Sequence, residues 1–385
     1  MSKGKKIKII ISIAAISFIQ GLQYCVSPVL GQIQEHYPDV DISLIQMLIT
    51  APALLSILVA LLSGWLVLKI SKKKLLLFGS LVAGVTGFLP RLADSFGLLF
   101  FSRTFYGVGL GLATALNTAV VAEFFEGDER VSVMGIQAAS VGAGMVVVTT
   151  VGGMLGSGGF RNAYFINVIG FISMILIACC LPETGKAQAS ESEKIELNKE
   201  VFKISALGAL EFLFLITFTT NIAMHLSGAL KGNTAVSGNL TGIFSGSQIV
   251  VGLVLGFITK ITKKYTLPVA MLSFSVGGLI LILFPSNLIM LMIGAVFCGF
   301  SQGMFIPQAM VDVAGVVKPV ATAMASACFT CAMNFGQLVS PTILNTVSKV
   351  VFGEVSTTNV YIISVIGMTA VAVITIIMKR RKGNI

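Results

Sequence analysis

The chain has 385 residues, of which 55% are hydrophobic and only 11% charged, and its mean hydropathy is +0.95. Those values lie far outside the averages of soluble domains and exclude a water-soluble enzyme or scaffold. The net charge of +10 does not point to nucleic acid, because the basic residues are confined to short loops and tails between apolar runs.

Twelve apolar runs are long enough to cross a hydrocarbon core of roughly 30 Å. They fall at roughly 8–30, 43–68, 74–93, 97–122, 132–156, 162–182, 203–227, 238–260, 266–285, 288–312, 320–345 and 357–379. A bilayer core offers no water to unpaired backbone groups, so each run is expected to be a helix. The first follows Lys-rich residues but is too long for a signal-peptide core and lacks a small-residue cleavage site, so it is expected to be a retained span. With the N-terminus inside, the cytoplasmic loops and tails hold 21 of the 26 Lys and Arg; Arg91, Arg161, Lys231 and Lys349 lie outside and Arg103 lies in a span. This asymmetry predicts a multi-pass protein of the inner or plasma membrane with both termini cytoplasmic. The basic ends, Lys3–Lys8 and Lys379–Lys382, are expected to face anionic lipid of the bilayer. Glu183–Glu200, the only long polar interruption, is compatible with a short amphipathic helix or with disorder. It divides the chain into an N-terminal six-helix half (1–182), a cytoplasmic linker (183–202) and a C-terminal six-helix half (203–385).

The stretch Gly64-Trp-Leu-Val-Leu-Lys69-Ile-Ser-Lys-Lys-Lys74 returns, blurred, at Gly256-Phe-Ile-Thr-Lys260-Ile-Thr-Lys-Lys-Tyr265. At an offset of 192 residues, Gly64, Gly107, Gly111 and Gly144 meet Gly256, Gly299, Gly303 and Gly336. Internal duplication is the mark of secondary transporters, which hold substrate near the midplane between halves.

Glu211 is the only acidic residue well inside a span, about 12 Å along the seventh run from Lys203 at 1.5 Å per residue. A carboxyl there is either a site of reversible proton binding or a group near the inner interface reached by water or a loop Lys. Arg103, five residues into the fourth run, needs a carboxylate, a carbonyl or an anionic substrate, or else snorkels to the surface. Neutral polar groups near mid-span either line a cavity or hydrogen-bond between helices. Gln23, Tyr24, Asn117, Asn221, Gln302 and Asn334, with the aromatic rings of Phe218 and Phe305, are the candidate substrate-binding residues. The six cysteines all fall in apolar runs, so no disulfide framework is implied. No phosphate-binding Gly-Lys-Ser/Thr loop, metal-ligand cluster or catalytic set is visible, so neither a cofactor, nor a metal, nor enzymatic activity is expected.

Several ordered elements together carry a family resemblance. Gly64, Leu66, Lys69, Lys72 and Lys73 follow the second span. Arg103, Gly107 and Gly109 lie in the fourth, followed by Glu123 and Arg130. Phe160-Arg161-Asn-Ala-Tyr-Phe165 opens the sixth span and Pro182-Glu183-Thr184 closes it, and Asn334-Phe-Gly336-Gln-Leu-Val-Ser-Pro341 lies in the eleventh. The sequence resembles the major facilitator superfamily, most like its twelve-span drug:proton antiporter branch. The resemblance implies two pseudo-symmetric six-helix halves and a largely neutral cavity lined by spans one, four, seven and ten. It also implies a monomeric transporter of a small amphipathic organic compound, with protons as coupling ion. Glu211 and Arg103 would serve proton coupling; Gly64, Lys69, Lys72, Lys73, Glu123 and Arg130 would form a cytoplasmic gate. Two departures stand out: Leu68 occupies the place of the family's acidic latch, and Val148-Thr149 the place of the antiporter Gly-Pro. Uptake or uniport of a small organic solute, anions included, and a transporter-fold sensor without flux are the alternatives.

Overall fold

The computed structural model describes residues 3–184, 197–318 and 321–382. Among them it contains helices and no strand. Ten helical stretches are long and apolar enough to cross a membrane, one of which, Thr234–Leu283, holds two helices. The eleventh predicted run forms the long helix Thr322–Phe352, which is more polar and carries Pro341 inside it.

Contacts divide the chain into two units. The first comprises Met1–Val40 and Met47–Glu191, the second Asp41–Gln46 and Ser192–Ile385. The helices of the first unit are α1 (Lys3–Gly21), α2 (Leu30–His36), α3 (Ile42–Thr50, whose residues up to Gln46 are counted with the second unit), α4 (Pro52–Lys69), α5 (Lys72–Phe88), α6 (Phe96–Phe124), α7 (Gly127–Gly156), the short α8 (Phe160–Ala163) and α9 (Val168–Cys180). The second unit holds α10 (Lys199–Leu215), α11 (Thr217–His225), α12 (Thr234–Thr262), α13 (Thr266–Leu283), α14 (Leu288–Gly315), α15 (Thr322–Phe352) and α16 (Thr357–Lys382). Helix α6 packs against α4 and α5, and α1 against α7 and α9; in the second unit α14 packs against α12 and α13, and α10 against α15 and α16.

The 192-residue repeat is a repeat of contacts. A Cβ on Gly107 would fall within 3.0 Å of the Pro52 carbonyl oxygen, and one on Gly299 equally close to that of Phe244, 192 residues after Pro52. One turn on, a Cβ on Gly111 would sit 2.7 Å from the Ser56 oxygen, and one on Gly303 2.8 Å from that of Gln248, again 192 later. Lipid tails give apolar helices no hydrophobic reason to associate, so close backbone approach at small residues is what holds such pairs together. Gly64 and Gly256, the glycines of the repeated basic loop, have open space where a Cβ would stand.

Four of the expected spans are broken, among them the sixth, which passes from α8 through a 3-10 stretch at Tyr164–Asn167 into α9. The first becomes α1, a 3-10 stretch over Leu22–Val29 containing Pro28, and α2. Pro28 has no N–H to give and disfavours helical geometry at Ser27, so the tighter, weaker 3-10 pairing takes over. The second breaks at Ala51, before Pro52. The seventh breaks at Ile216. It also begins four residues before the expected 203, because the Asn198 side chain accepts the Val201 N–H and caps the helix. The expected amphipathic or disordered linker segment lies mainly in 185–196, outside the described residues.

Candidate functional site

The breaks in the first unit leave carbonyls without helical donors, and Arg103 collects them. The carbonyl of Leu48 would accept from residue 52, but that residue is a proline; Arg103 Nε donates to it instead at 2.9 Å. The same guanidinium donates to the carbonyls of Leu22 and Gln23 in the 3-10 stretch and contacts Cys25 Sγ at 3.4 Å. One turn along α6, the Tyr106 hydroxyl donates to the Ile19 carbonyl. Arg103 is 1% exposed and its partners are carbonyls and a thiol, with no carboxylate among the described residues. Gln23 Nε2 donates to Ile49 O at 3.2 Å, with Tyr24 buried beside it in the chain. Asn117, wholly buried, donates to Ser17 Oγ at 2.9 Å, while its own Oδ1 has no partner.

In the second unit the outstanding group is Glu211. It is 0% exposed, and neither carboxyl oxygen has a hydrogen-bond partner among the described residues. Because α10 starts at Lys199, Glu211 lies about 18 Å from the start of the helix at 1.5 Å per residue, its distance from Lys203 being as the sequence suggested. The Ser301 hydroxyl on α14 is the polar group that faces it, buried and short of a formed hydrogen bond among the described residues. Gln302, next in the chain, accepts from Gln248 Nε2 at 2.7 Å. Phe218 stacks on Phe244 with ring centroids 4.7 Å apart, and Phe305 is wholly buried. Asn334 is half-buried with no partner among the described residues.

Asn221 belongs to a chain of amides. Gln46 Nε2 donates to Asn221 Oδ1 at 2.8 Å, and Gln46 Oε1 accepts from Asn345 Nδ2 at 2.8 Å. Asn345 also donates to Ser43 Oγ at 3.1 Å. Sequence reasoning singled out Asn221 but not Gln46, Asn345 or Ser301. Gln46 and Asn345 sit near the ends of their apolar runs, where an amide carries no signal of its own. His225 has both ring nitrogens engaged: Leu281 O at 3.0 Å can only accept, which places the proton on Nε2 and leaves Nδ1 to accept from Thr357 at 3.0 Å.

At the basic end of the first unit, the loop lysines take separate partners. Lys72 Nζ pairs with Glu123 Oε2 at 2.6 Å. Lys73 Nζ donates to the carbonyls of Ala178 and Leu181 at 2.9 and 2.6 Å, closing the C-terminus of α9. Lys69 stands 3.9 Å over the Trp65 ring. Glu129 pairs with Lys6, and Ser71 donates to Glu183. Arg130 is exposed, with no side-chain partner among the described residues. At the other end of the unit, Asp94 accepts from Tyr37 at 2.6 Å, meets His36 at 2.9 Å and pairs with Arg161 at 2.7 Å. The Tyr37 hydrogen bond, then His36, hold its carboxyl down at about 2. Arg91 donates instead to Arg161 O and Asn162 Oδ1.

Comparison with known proteins places the chain in a family. The family model described as Major Facilitator Superfamily matches residues 11–225 and again 204–384. Among curated relatives, the riboflavin transporter RibZ of Clostridioides difficile (strain 630) is 29% identical over 146 residues, 37% of this chain and 32% of that protein. The probable vesicular acetylcholine transporter-B of Danio rerio is 34% identical over 118 residues, 30% of this chain and 24% of that protein. The matches thus span a third or less of either relative. Among solved structures, the nucleoside transporter NupG (D323A mutant) superposes with a TM-score of 0.77 at 14% identity, covering 95% of this chain and 99% of that one. A peptide transporter POT in complex with sulfate gives 0.80 at 11% identity, covering 98% and 95%. With a family model matched over both halves and the architecture shared from end to end, the chain belongs to the Major Facilitator Superfamily.

Proposed function

We propose that the protein is a secondary active transporter that exports a small amphipathic organic compound by alternating access, in exchange for protons. The observation that carries the reading is Glu211: a fully buried carboxyl group without a hydrogen-bond partner among the described residues, deep in a membrane-spanning helix. An ionised carboxylate in that position is costly, so the group is suited to take up a proton on one side and release it when the surroundings become wet. The candidate substrate-binding residues are neutral: in the first unit Gln23, Tyr24 and Asn117, and in the second Asn221, Gln302 and Asn334, would offer hydrogen bonds, and Phe218 and Phe305 apolar contact. Relatives named for riboflavin and acetylcholine transport support a small organic substrate. The positive-inside rule puts the basic end, with Lys69, Lys72, Lys73, Glu123 and Arg130, in the cytoplasm together with both termini. There the Lys72–Glu123 ion pair would be the charged contact of a gate, with Lys69, Lys73 and Arg130 adding positive charge around it.

Uptake or uniport is the second reading, favoured by Val148-Thr149 in α7, where the antiporter pattern has Gly-Pro. The deciding experiment is flux in proteoliposomes with and without a pH gradient, across lipophilic cations, anions and neutral compounds. Glu211→Gln keeps the shape of the protonated acid and is expected to abolish gradient-driven transport while sparing counterflow exchange. Unchanged gradient-driven transport in that variant removes Glu211 from the mechanism. Ligand binding without flux under any gradient overturns the transporter reading itself.

A further inference from the structure

Lys69, Ile70, Ser71, Lys74, Glu183 and Thr184 line a cavity of about 410 Å3 at the basic end of the first unit, within the roughly 300–1,000 Å3 typical of small-ligand sites. Its walls are tied together by their own polar groups: Ser71 Oγ donates to Glu183 at 2.9 Å, and the Lys73 N–H donates to Thr184 Oγ1 at 2.9 Å. The neighbouring lysines divide into two pairs. Lys72 is neutralised by Glu123, whereas Lys73 is held by carbonyls and keeps its full charge. Lys69 and Lys74, the two on the cavity wall, have no acidic partner among the described residues; Lys69 rests on Trp65 and Lys74 is exposed. Glu183 is the one acid on the wall, and it is engaged by Ser71.

What adjoins the cavity selects its occupant. Leu58, Leu61, Trp65 and Leu68 are all 40% exposed or more. Their spacings of three and four residues put them on one face of α4, and Lys69 stands at the end of that face. An apolar stripe thus runs along the helix and ends at two ammonium groups that share the wall with a single carboxylate, so the cleft keeps a net positive charge. A free anion uses only the second part of that surface; a phospholipid uses both. We infer that this cleft binds the phosphate of an anionic phospholipid headgroup, with Lys69 and Lys74 as its ligands and the acyl chains lying along Leu58, Leu61, Trp65 and Leu68.

Trp65 is the only tryptophan in the chain, so its fluorescence reports on the site. The full-length protein in phosphatidylcholine nanodiscs, with increasing fractions of phosphatidylglycerol, is expected to show a saturable change in Trp65 emission as Lys69 leaves the ring for a phosphate. Lys74→Gln should raise the half-saturating fraction about fivefold, the loss of roughly one lysine's attraction to an anionic surface, and Lys74→Arg should restore it. Lys260→Gln, in the equivalent basic loop of the second unit, should leave the titration unchanged. An identical titration in Lys74→Gln, an equal loss in Lys260→Gln, or no dependence on phosphatidylglycerol overturns the inference. Saturation by inorganic phosphate in pure phosphatidylcholine would also overturn it, by showing a simple anion site.

Discussion

Lys72 Nζ lies 2.6 Å from Glu123 Oε2, joining the first turn of α5 to the last turn of α6. Each partner stands at the wrong end of its own helix: a cation near the positive N-terminus, an anion near the negative C-terminus. The pair cancels two unfavourable placements at once. Leu68 stands where the resemblance led us to expect an acidic residue, and the acid that meets Lys72 comes from α6. We expect Lys72→Glu and Glu123→Lys each to lower thermal stability in detergent by about 1 kcal/mol, since both side chains are partly exposed and screened. The double reversal should recover most of the loss. Equal, additive losses would show that the two do not interact.

Arg103 stands in for the N–H that Pro52 lacks. Lys cannot reproduce its fork of donors, so Arg103→Lys should cost about 2–3 kcal/mol by leaving buried carbonyls unsatisfied. Pro52→Ala supplies a backbone donor for Leu48 O, and the lysine substitution should cost less in that background. A thermal-unfolding cycle over the four proteins measures the difference. Strict additivity would separate Arg103 from the break at Pro52.

Glycine substitutions should divide into two classes. Gly107→Ala and Gly299→Ala place a methyl group against a backbone carbonyl that cannot yield, and each is expected to lose about 1–3 kcal/mol. Gly64→Ala meets open space and, within a helix, should be neutral or slightly stabilising. Detergent melting curves of the three variants test the ordering, and an equal loss at all three positions would contradict it.

The Asp94 cluster gives a pH signature. Its carboxyl is lowered from 3.8 to about 2, first by the Tyr37 hydrogen bond; the Tyr37 hydroxyl is pushed up to about 12, by burial and then by Asp94. A depressed carboxylate contributes stability above its unfolded pKa, and that contribution fades as pH falls from near 3.8 through about 2. Asp94→Asn should therefore lower the melting temperature slightly at pH 7 and converge with the parent protein in that acid window. The effect is small because Asp94 is solvent-exposed. A gap independent of pH would assign the loss to packing.

What the sequence made legible was what repeats or is rare. Twelve apolar runs and a 192-residue register pointed to two duplicated halves, and a lone carboxyl in an apolar run pointed to Glu211. Arg103 was legible as a buried cation, but its partners were not. They are backbone carbonyls, that of Leu48 freed by Pro52, 51 positions away, and those of Leu22 and Gln23 in the 3-10 stretch, and no residue type announces a free carbonyl. The amide chain Gln46–Asn221–Asn345 was hidden for a related reason: its members are 175 and 299 residues apart from Gln46, and an amide is common at such positions. The resemblance held at the level of the superfamily. The finer assignment to an antiporter rests on substrate chemistry, which a neutral lining does not spell out.

The paired glycine crossings also act as a ruler laid down when the chain was duplicated. From Pro52 to Gly107, Ser56 to Gly111, Phe244 to Gly299 and Gln248 to Gly303, the chain length between carbonyl and glycine is the same. Residue identities in between have drifted almost freely, but no net insertion or deletion has survived on that path in either copy. A shift of one residue would turn a side chain into the crossing where only hydrogen fits. Length, rather than identity, is the inherited character here, and ancestry in distant relatives is better traced by the spacing of such crossings than by the letters that fill it.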